Sequence, residues 1–551
     1  MALAFANIVC YIVACMYVET NCLQRHGKTY RTVTVRESFR VEGKVRHRTI
    51  ANISDLPEHA IQAVQQALRL GHVPKPAQPP QVGSSREYGA SLALLALIRE
   101  LELDQLIYSR KEPWRQDLLA LIVGRIVFQG SKLALTGVYL DSALWELCGH
   151  PAGQRPDVED HAYFPMDRLL ERQESIQRQL AQKHLQDGCL VYYDMTSSYA
   201  EGDYEDSDLV TWGYNRDGKR GHEQIAIGLL TTAQGCPVAV RVFRGNTADQ
   251  TTVLEQARII CEEYGVQEVV FVGDRGMLTP KRIEELHALG YQTLTALTHP
   301  QMRDLLQRRV VQLELFSPEQ CVGVVDPEVP GLQYVLHKNP QRALQDGTTR
   351  RSLIAKTKEA LDKLVRSRRL TQDKLAAKVG VVLAKHHTGK FVAWSIEGGR
   401  LVWQFKQELI EQEEAMDGCY IIRNEAPALG VAGARDCYKD LIHVEQAFRN
   451  LKTVSLEMRP FYHHRDDRLR AHVFLCMLAY YVQWQATRRL EPLFASDGKG
   501  KNRQWTWARV IERLKAIRKE TLRIGGTEIP NVISTPEQDQ QRILDLLKVK
   551  M

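Results

Sequence analysis

Three acidic residues occupy positions that suit metal-dependent chemistry. Asp194 ends the apolar run of CLVYYDMTSSY, Asp274 follows the apolar run of EVVFVGDRG, and Glu445 lies within DCYKDLIHVEQAFRNLK. Three unneutralised carboxylates in one cleft would repel each other strongly, and a pair of divalent cations would remove that penalty. Two Mg²⁺ ions about 4 Å apart would activate an attacking oxygen and stabilise a leaving oxygen in phosphodiester chemistry. Oxygen-only ligands are those that Mg²⁺ selects.

Each acidic residue also has a simpler interpretation when it is taken alone. Asp194 could cap the end of a strand, and Asp274 could form a turn before Gly276. Glu445 could form an ion pair with Arg449 one helical turn later, worth a few tenths of a kcal/mol. The chemical interpretation therefore depends on the three carboxylates meeting at one point.

The segment around Glu445 is predicted to be a helix with one unusual face. At 100° per residue, residues 436–452 place Tyr438, Glu445 and Lys452 on a single stripe, with Arg449 beside it. This face offers a carboxylate flanked by an aromatic hydroxyl and two cations. Such a surface suits a metal-bound phosphate better than a hydrophobic core.

The elements that carry the two aspartates follow a clear order along the chain. The runs CLVYYDMTSSY, QIAIGLLTT and PVAVRVF predict three strands, TTVLEQARIICEEYG predicts a helix, and EVVFVGDRG predicts a fourth strand. We expect the first and fourth strands of such a sheet to lie side by side. Asp194 and Asp274 would then be neighbours.

The rest of the chain shows several further patterns. Residues 28–52 predict a hairpin around Glu42-Gly43, residues 71–89 with four prolines predict a linker, and residues 90–187 are helical in pattern. Residues 341–385 contain twelve Lys or Arg against four acidic residues, which favours contact with a DNA backbone or a solvated surface. The runs VGVVLAK, KFVAWSI, RLVWQF and DGCYIIRNE predict strands, and WARVIERLKAIRKETLR predicts a basic tail helix.

Composition limits the class of protein. The chain has 551 residues with 44% hydrophobic and 25% charged residues, which excludes disordered, collagen-like and coiled-coil classes. A net charge of +7 is compatible with a nucleic-acid partner. The eleven scattered cysteines form no C-x-x-C pair, so a reducing cytosol is expected. The apolar run at residues 2–15 is too short to span a membrane, and it favours Met16 as the start.

The combined motifs resemble those of insertion-sequence transposases of the DDE type. The resemblance is to the group marked by Tyr-x2-Arg-x3-Glu-x6-Lys, called the insertion-sequence-four family. It rests on YYDMTSSY, GNTADQTTV, FVGDRGM, YKDLIHVEQAFRNLK and LEMRPFYHHRDDRLRAHVFLCMLAYY, which together span most of residues 188–490. The sequence departs from the group at Leu441, where the family has arginine; Arg449 or Lys439 could replace that phosphate contact.

This resemblance implies both a fold and a set of roles. The fold is α/β, an RNase H-like core with a mixed five-stranded sheet, interrupted by a β-rich insertion and preceded by an N-terminal hairpin and a helical region. Asp194, Asp274 and Glu445 would be the catalytic and metal-binding residues for two Mg²⁺ ions, with Mn²⁺ able to substitute. Tyr438, Arg449 and Lys452 would contact DNA. The reaction would be metal-dependent cleavage at the ends of the element and transfer of the 3′-OH into target DNA.

The expected partners are double-stranded DNA, as terminal inverted repeats and target, and a second copy of the chain in a homodimer. No membrane partner is expected, and the protein would act in the cytoplasm with the nucleoid. Two alternatives remain: a catalytically silent DNA-binding regulator derived from a transposase, and a stand-alone RNase H-like nuclease. The expected domains are an N-terminal hairpin region, a helical end-binding domain, the first part of the core, the insertion, the second part of the core and a basic helical tail, at 1–75, 76–187, 188–280, 281–415, 416–490 and 491–551.

Overall fold

The computed structural model places most of the chain. The residues it describes are 15–25, 28–41, 44–70, 81–216, 218–219, 221–367, 370–459, 461–497, 503–524 and 527–551. Three predicted segments lie outside the described residues. They are residues 2–14 of the apolar run, the Glu42-Gly43 turn, and residues 71–80 of the linker.

Strands and helices alternate through the described residues. The strands are β1 (Cys15–Arg25), β2 (Lys28–Val41), β3 (Lys44–Asn52), β4 (Gln81–Glu87), β5 (Cys189–Tyr199), β6 (Gln224–Thr232), β7 (Pro237–Arg244), β8 (Val269–Val272), β9 (Gln292–Ala296), β10 (Val322–Val325), β11 (Gln333–Lys338), β12 (Val392–Glu397), β13 (Arg400–Phe405), β14 (Cys419–Asn424), β15 (Arg518–Ile524) and β16 (Thr527–Ile533).

The helices that precede the insertion are α1 (Glu58–Leu70), α2 (Gly89–Glu100), α3 (Leu103–Ile107), α4 (Pro113–Val127), α5 (Lys132–Gly137), α6 (Leu144–Leu147), α7 (Phe164–Leu170), α8 (Gln173–His184), α9 (Asp249–Arg258), α10 (Pro280–His287) and α11 (His299–Gln307). The later helices are α12 (Pro340–Val365), α13 (Gln372–His386), α14 (Gln407–Ala415), α15 (Gly430–Lys439), α16 (Leu441–Arg449), α17 (Asp466–Arg489), α18 (Glu491–Ala495), α19 (Trp507–Lys515) and α20 (Gln538–Leu546).

The chain divides into two compact units, residues 1–85 with 520–532 and residues 86–519 with 533–551. In the first unit, β2 pairs antiparallel with β3, which confirms the predicted hairpin, and β1 pairs with the other edge of β2. The alternation of apolar and charged residues in this segment explains the strands, because successive side chains point to opposite faces. The second unit contains the three acidic residues.

A large mixed sheet forms the centre of the second unit. Its eight described strands have the order β10-β11-β14-β9-β8-β5-β6-β7. β5 pairs in parallel with β8, and β8 with β9, whereas the remaining pairs are antiparallel. The predicted neighbouring of the first and fourth core strands is therefore confirmed. The sheet is wider than the five strands expected, because β10, β11 and β14 extend it beyond β9.

The two faces of this sheet bury different helices. Along β5, Val191, Tyr193 and Met195 face a cluster formed with α9 and α10, whereas Tyr192 faces the opposite side. The Tyr192 hydroxyl donates a hydrogen bond to the carbonyl of Cys437 in α15, at 2.7 Å. Because side chains alternate along a strand, Asp194 is on the same face as Tyr192.

The insertion leaves the sheet between two neighbouring antiparallel strands. β11 ends at Lys338 and β14 begins at Cys419, and the intervening segment contains α12, α13, the hairpin β12–β13 and α14 in its described part. Leu361, Leu375 and Val379 help to form a small separate core there. The expected β-rich insertion is thus mainly helical outside the sheet, and the strands β9 to β11 of the predicted range 281–415 belong to the central sheet.

Three local predictions from the sequence are wrong. The run VGVVLAK lies in α13, because Leu375, Val379 and Leu383 recur every four residues and face one core. The tail helix predicted over WARVIERLKAIRKETLR ends at Lys515 and is followed by β15. The last part of the predicted linker forms β4, which pairs with β15.

Among the described residues, no single helix is both long and apolar enough to cross a membrane. One pair of helical segments, Pro113–Val127 and Lys132–Leu140, meets that criterion only when combined, and the two are bent by 101°.

Candidate active site

A cleft of about 1160 Å³ brings together the three acidic residues identified in the sequence. Asp194, Asp274 and Glu445 all line it. Residues of the central sheet and of α15 and α16 form one wall, and residues of the insertion, from α12 and from the turn after α13, form another. The cleft is large enough for an extended polymer and opens to solvent, which suits a macromolecular substrate.

The register of the sheet places the two aspartates next to each other. Tyr192 of β5 is paired with Val272 of β8 in parallel register, and each aspartate lies two residues further along its own strand direction. Adjacent strands are about 4.8 Å apart. The sequence predicted Asp194 at a strand end, but it lies within β5, which continues to Tyr199. Asp274 lies two residues beyond the end of β8, so the two aspartates are at the same level of neighbouring strands.

Electrostatics at Asp194 match this geometry. Burial raises the pKa of the Asp194 carboxyl to about 7, a hydrogen bond from the Met195 amide at 2.7 Å opposes the shift, and the nearby charge of Asp274 adds to it. At neutral pH this carboxyl would be protonated about half of the time without a compensating cation. The donor set and its unfavourable charge therefore fit a divalent metal ion.

Asp274 combines two of the roles considered from the sequence. Its Oδ1 accepts hydrogen bonds from the backbone amides of Gly276 at 3.0 Å and Met277 at 2.8 Å, so it does form the turn after β8. The residue is exposed and lines the cleft. The turn holds the carboxylate in a defined orientation beside Asp194.

Glu445 reaches the cleft from the helix that covers the sheet. Val444, Ala447 and Phe448 of α16 are buried in the main core, and α16 packs against β5 and β6. Glu445 is the exposed neighbour of this buried stripe and lines the cleft. Packing of the apolar face of α16 thus determines where the third carboxylate points.

The single helix predicted over 436–452 is broken. Asp440 has φ −66° and ψ −10°, which ends α15 and begins α16, and residues Asn450–Val454 form a wider helical turn. Aspartate is unfavourable in a helix interior because its side chain competes for backbone hydrogen bonds. The single-stripe prediction is therefore wrong in detail, although Tyr438 and Glu445 both line the cleft.

Tyr438 lies between two of the acidic residues. Burial raises the pKa of its hydroxyl to about 12, and the charges of Asp274 and Glu445 reinforce the shift. The hydroxyl therefore remains protonated at neutral pH and can donate a hydrogen bond to an anionic oxygen.

The ligand atoms of the three carboxylates do not all lie within 4.8 Å of one another. Among the described residues, the group of acidic, imidazole or thiol side chains with ligand atoms all within 4.8 Å of one another lies elsewhere, at Asp117, His150 and His161. At least one pair of ligand atoms in the cleft is therefore further apart than 4.8 Å. A pair of cations about 4 Å apart, each bound at about 2.1 Å, needs such a spread of ligands.

The predicted DNA contacts have different surroundings. Lys439, the candidate replacement for the missing family arginine, lines the cleft, as does Leu441 itself. Arg449 is exposed one helical turn after Glu445. Lys452 is only 7% exposed and does not line the cleft.

Basic residues that the sequence interpretation did not select also line the cleft. Arg275 follows Asp274 directly, and its charge opposes the rise in the Tyr438 pKa. Lys390 pairs with Glu413 at 2.8 Å, and Arg350 makes a bidentate pair with Asp417. The adjacency of Arg275 to Asp274 was one available signal in the sequence, and the basic segment 341–385 that includes Arg350 was another. Nothing local marked Lys390.

Comparisons with known proteins identify two matching domains. A model of the transposase DDE domain matches residues 186–482, and a model of the N-terminal domain of the IS1634 family of transposases matches residues 20–72. No curated protein matches the chain. A cryo-EM structure of the piggyBac transposase synaptic complex with hairpin DNA has 8% sequence identity and a TM-score of 0.35, covering 78% of this chain and 76% of that chain.

The sheet, the acidic cleft and the domain matches define an enzyme of DNA transposition. Because the DDE domain model covers more than half of the 551 residues, the chain belongs to the DDE transposase family. The protein is a DNA transposase of an insertion sequence. Membership of this family implies binding to DNA and dependence on a divalent metal, which confirms those parts of the interpretation from the sequence.

Proposed function

We propose that this transposase cuts DNA at the ends of its own insertion sequence and joins the freed 3′ ends to target DNA. Asp194, Asp274 and Glu445 would hold two Mg²⁺ ions, with Mn²⁺ able to substitute. The observation that carries this proposal is the register of β5 and β8, which sets two aspartates side by side. The presence of Glu445 in the same cleft supports it.

Each carboxylate would contribute to catalysis through its position. Metal ions bound here would activate the attacking oxygen and stabilise the leaving oxygen of a phosphodiester. Asp194 is held by its strand and by the Met195 amide, and Asp274 by the turn it forms. Glu445 is held by a helix whose opposite face is buried. Ligands fixed in this way need little reorganisation when DNA binds, which is the condition for electrostatic catalysis.

The reaction would use two successive transfers at phosphorus. In the first, a water oxygen attacks the phosphorus at the element end, the bond to the 3′ oxygen breaks, and a 3′-OH is released. In the second, that 3′-OH attacks a target phosphodiester, and the target 3′ oxygen leaves. One phosphodiester replaces another in this step, so no nucleotide triphosphate is required.

Side chains around the carboxylates would position the DNA backbone. Tyr438, Lys439 and Arg275 all line the cleft. Tyr438 would donate a hydrogen bond to a phosphate oxygen near the cut, and Lys439 and Arg275 would supply positive charge. Arg449 would contact phosphate on the exposed side of α16. Lys452 would contribute only after a local change, since it is buried in the turn that follows α16.

The finer classification is also part of this proposal. We assign the chain to the insertion-sequence-four family and its sheet to the RNase H-like fold, supported by the strand order β9-β8-β5-β6-β7 with parallel and antiparallel pairs in that arrangement. We expect a homodimer in the active complex, because two element ends must be joined, and action on cytoplasmic, nucleoid-associated DNA. The N-terminal sheet and the helices at residues 90–187 would read the terminal repeats, because the cleft chemistry is blind to base sequence.

The experiment that tests the proposal uses the full chain, a labelled duplex carrying the element end, a target plasmid and Mg²⁺. Intact protein should release a 3′-OH end and form joined products. Asp194→Asn should release no 3′-OH end and form no joined product. The control Glu262→Gln removes an exposed carboxylate away from the cleft and should give both products. Cleavage without joining would favour the stand-alone nuclease. Binding of the duplex without cleavage by the intact protein would favour the silent regulator.

A further inference from the structure

A second group of metal-ligand side chains lies in the helical region, away from the cleft residues. Asp117 is on α4, His150 follows α6, and His161 lies in the helical turn before α7. Their ligand atoms all lie within 4.8 Å of one another, a property that the cleft carboxylates lack. The family match does not account for this group: the residues precede position 186, where the DDE domain match begins.

Each oxygen of one buried carboxylate faces one imidazole. Asp117 Oδ1 is 2.5 Å from His150 Nε2, and Asp117 Oδ2 is 3.1 Å from His161 Nδ1. Asp117 is only 4% exposed. A hydrogen bond from a neutral imidazole would leave the negative charge of this carboxylate in the protein interior, where an uncompensated charge is costly. A bound cation would compensate it.

Surrounding packing fixes the orientation of the two rings. The rings of His150 and His161 are 4.7 Å apart and nearly perpendicular, and Trp145 packs edge-on against His150 at 5.1 Å. Asp117 is on a helix whose residues are almost all buried. The three donors are therefore preorganised by the core, and they do not depend on a mobile surface.

We propose that Asp117, His150 and His161 bind a divalent transition-metal ion, with Zn²⁺ the ion favoured by two imidazoles and one carboxylate. Zinc accepts this donor set, whereas Mg²⁺ prefers oxygen ligands alone. The half-exposed ring of His161 leaves a path for the ion to enter.

The site has a structural role. Residues 149–157 contain no helix or strand. The ion cross-links His150, within this segment, and His161, in the helical turn that follows it, to α4. Asp117 is separated from the histidines by 33 and 44 positions. The ion thus adds a restraint to an irregular segment of the chain.

The test uses the full-length protein stripped with EDTA and then titrated with Zn²⁺ alone. To keep the cleft from binding the added ion, all variants carry Asp194→Asn and Glu445→Gln. We expect the protein to bind about one equivalent of zinc, measured by elemental mass spectrometry and by calorimetric titration. Zinc binding should also raise the Tm. His150→Asn should abolish zinc binding and the rise in Tm. The control is His184→Asn, which removes a half-buried imidazole that is hydrogen-bonded to Tyr481 outside the group, and it should keep zinc binding and the rise in Tm.

A second measurement covers the case in which His150→Asn does not fold. Stripped protein reconstituted with Co²⁺ should show the visible absorption of a tetrahedral or five-coordinate nitrogen and oxygen site. Equal zinc binding by the His150→Asn and His184→Asn proteins, or no zinc and no cobalt signal in the parent, would overturn the proposal.

Discussion

The acidic cleft and the Asp117 group use the same carboxylate chemistry in opposite ways. In the cleft, Asp274 and Glu445 are exposed, the ligand atoms are spread, and about 1160 Å³ remains open beside them. At Asp117, the carboxylate is buried and each oxygen is already in contact with an imidazole. An open arrangement of oxygen ligands can admit a substrate and a pair of hard cations. A buried arrangement in which both carboxylate oxygens already contact imidazoles suits a structural ion.

The two regions also differ in what maintains them. The cleft depends on strand register and on a helix packed over the sheet, so the carboxylates are held in place although their mutual repulsion is unfavourable. The Asp117 group is stabilised by its own hydrogen bonds. Catalytic sites often reduce stability in this way, whereas structural sites increase it.

The largest expected effect is on catalysis by Asp194→Asn. Loss of this carboxylate should reduce DNA cleavage by more than about 10³-fold, because a residue of a cooperating catalytic set is removed. The rate of 3′-OH release from a labelled element end measures it. Comparable cleavage by this variant and by Glu262→Gln would show that the cleft is not catalytic.

The same variant should have the opposite effect on stability. Without metal, Asp194→Asn removes a partly buried charge that Asp274 repels, so the free energy of unfolding should rise by roughly 1 kcal/mol. Urea denaturation in EDTA measures this change. A lower stability would mean that Asp194 makes favourable contacts in the metal-free protein, and the contrast between the two regions would weaken.

Asp117→Asn should destabilise the protein instead. We expect a loss of about 2–4 kcal/mol, because the amide cannot accept from both imidazoles or bind a cation equally well. Asp160→Asn, an exposed change in the same segment, should have little effect. Urea denaturation with and without EDTA measures the difference, and EDTA should lower the stability of the parent but not of Asp117→Asn.

Tyr438→Phe should have a moderate effect confined to the cleft. Loss of one hydrogen bond to phosphate should slow cleavage by roughly 10-fold. Tyr264→Phe, a change in the cluster on the opposite face of the sheet, serves as the control. Single-turnover cleavage at saturating DNA separates this effect from weaker binding. Equal cleavage rates for Tyr438→Phe and Tyr264→Phe would show that the Tyr438 hydroxyl has no role in cleavage.

The smallest expected effect is an increase in DNA affinity. Leu441→Arg introduces the arginine that the Tyr-x2-Arg-x3-Glu-x6-Lys pattern has at this position, and Leu441 lines the cleft. The change should increase DNA affinity a few-fold and raise the slope of the salt dependence by about one phosphate contact. Val454→Arg adds the same charge at an exposed position that does not line the cleft. Binding titrations at several salt concentrations compare the two. A steeper salt dependence for Val454→Arg would show that the cleft is not the path of the DNA.

Local pattern was sufficient for the elements that carry Asp194 and Asp274. The runs of β5, β6 and β8 were predicted with the correct type, and their order predicted that β5 and β8 are neighbours. The predicted element type was wrong in α13, where a short apolar run fits both the helical and the strand spacing of apolar residues. The predicted helix length was wrong at Asp440, where an aspartate breaks the helix. The addition of β10, β11 and β14 to the sheet depends on pairing between strands that are far apart in the sequence. The local spacing of apolar residues does not predict such pairing.

The sequence by itself determined the transposase family, the strand that contains Asp194, the strand that precedes Asp274 and the helix region that contains Glu445, because these features depend on residue type and short spacing. Only the tertiary structure decided that the three carboxylates share one cleft with residues of the insertion. It also decided that Asp117 meets two histidines 33 and 44 positions away. Contacts of that range depend on how helices and strands pack, and packing is a property of the whole fold.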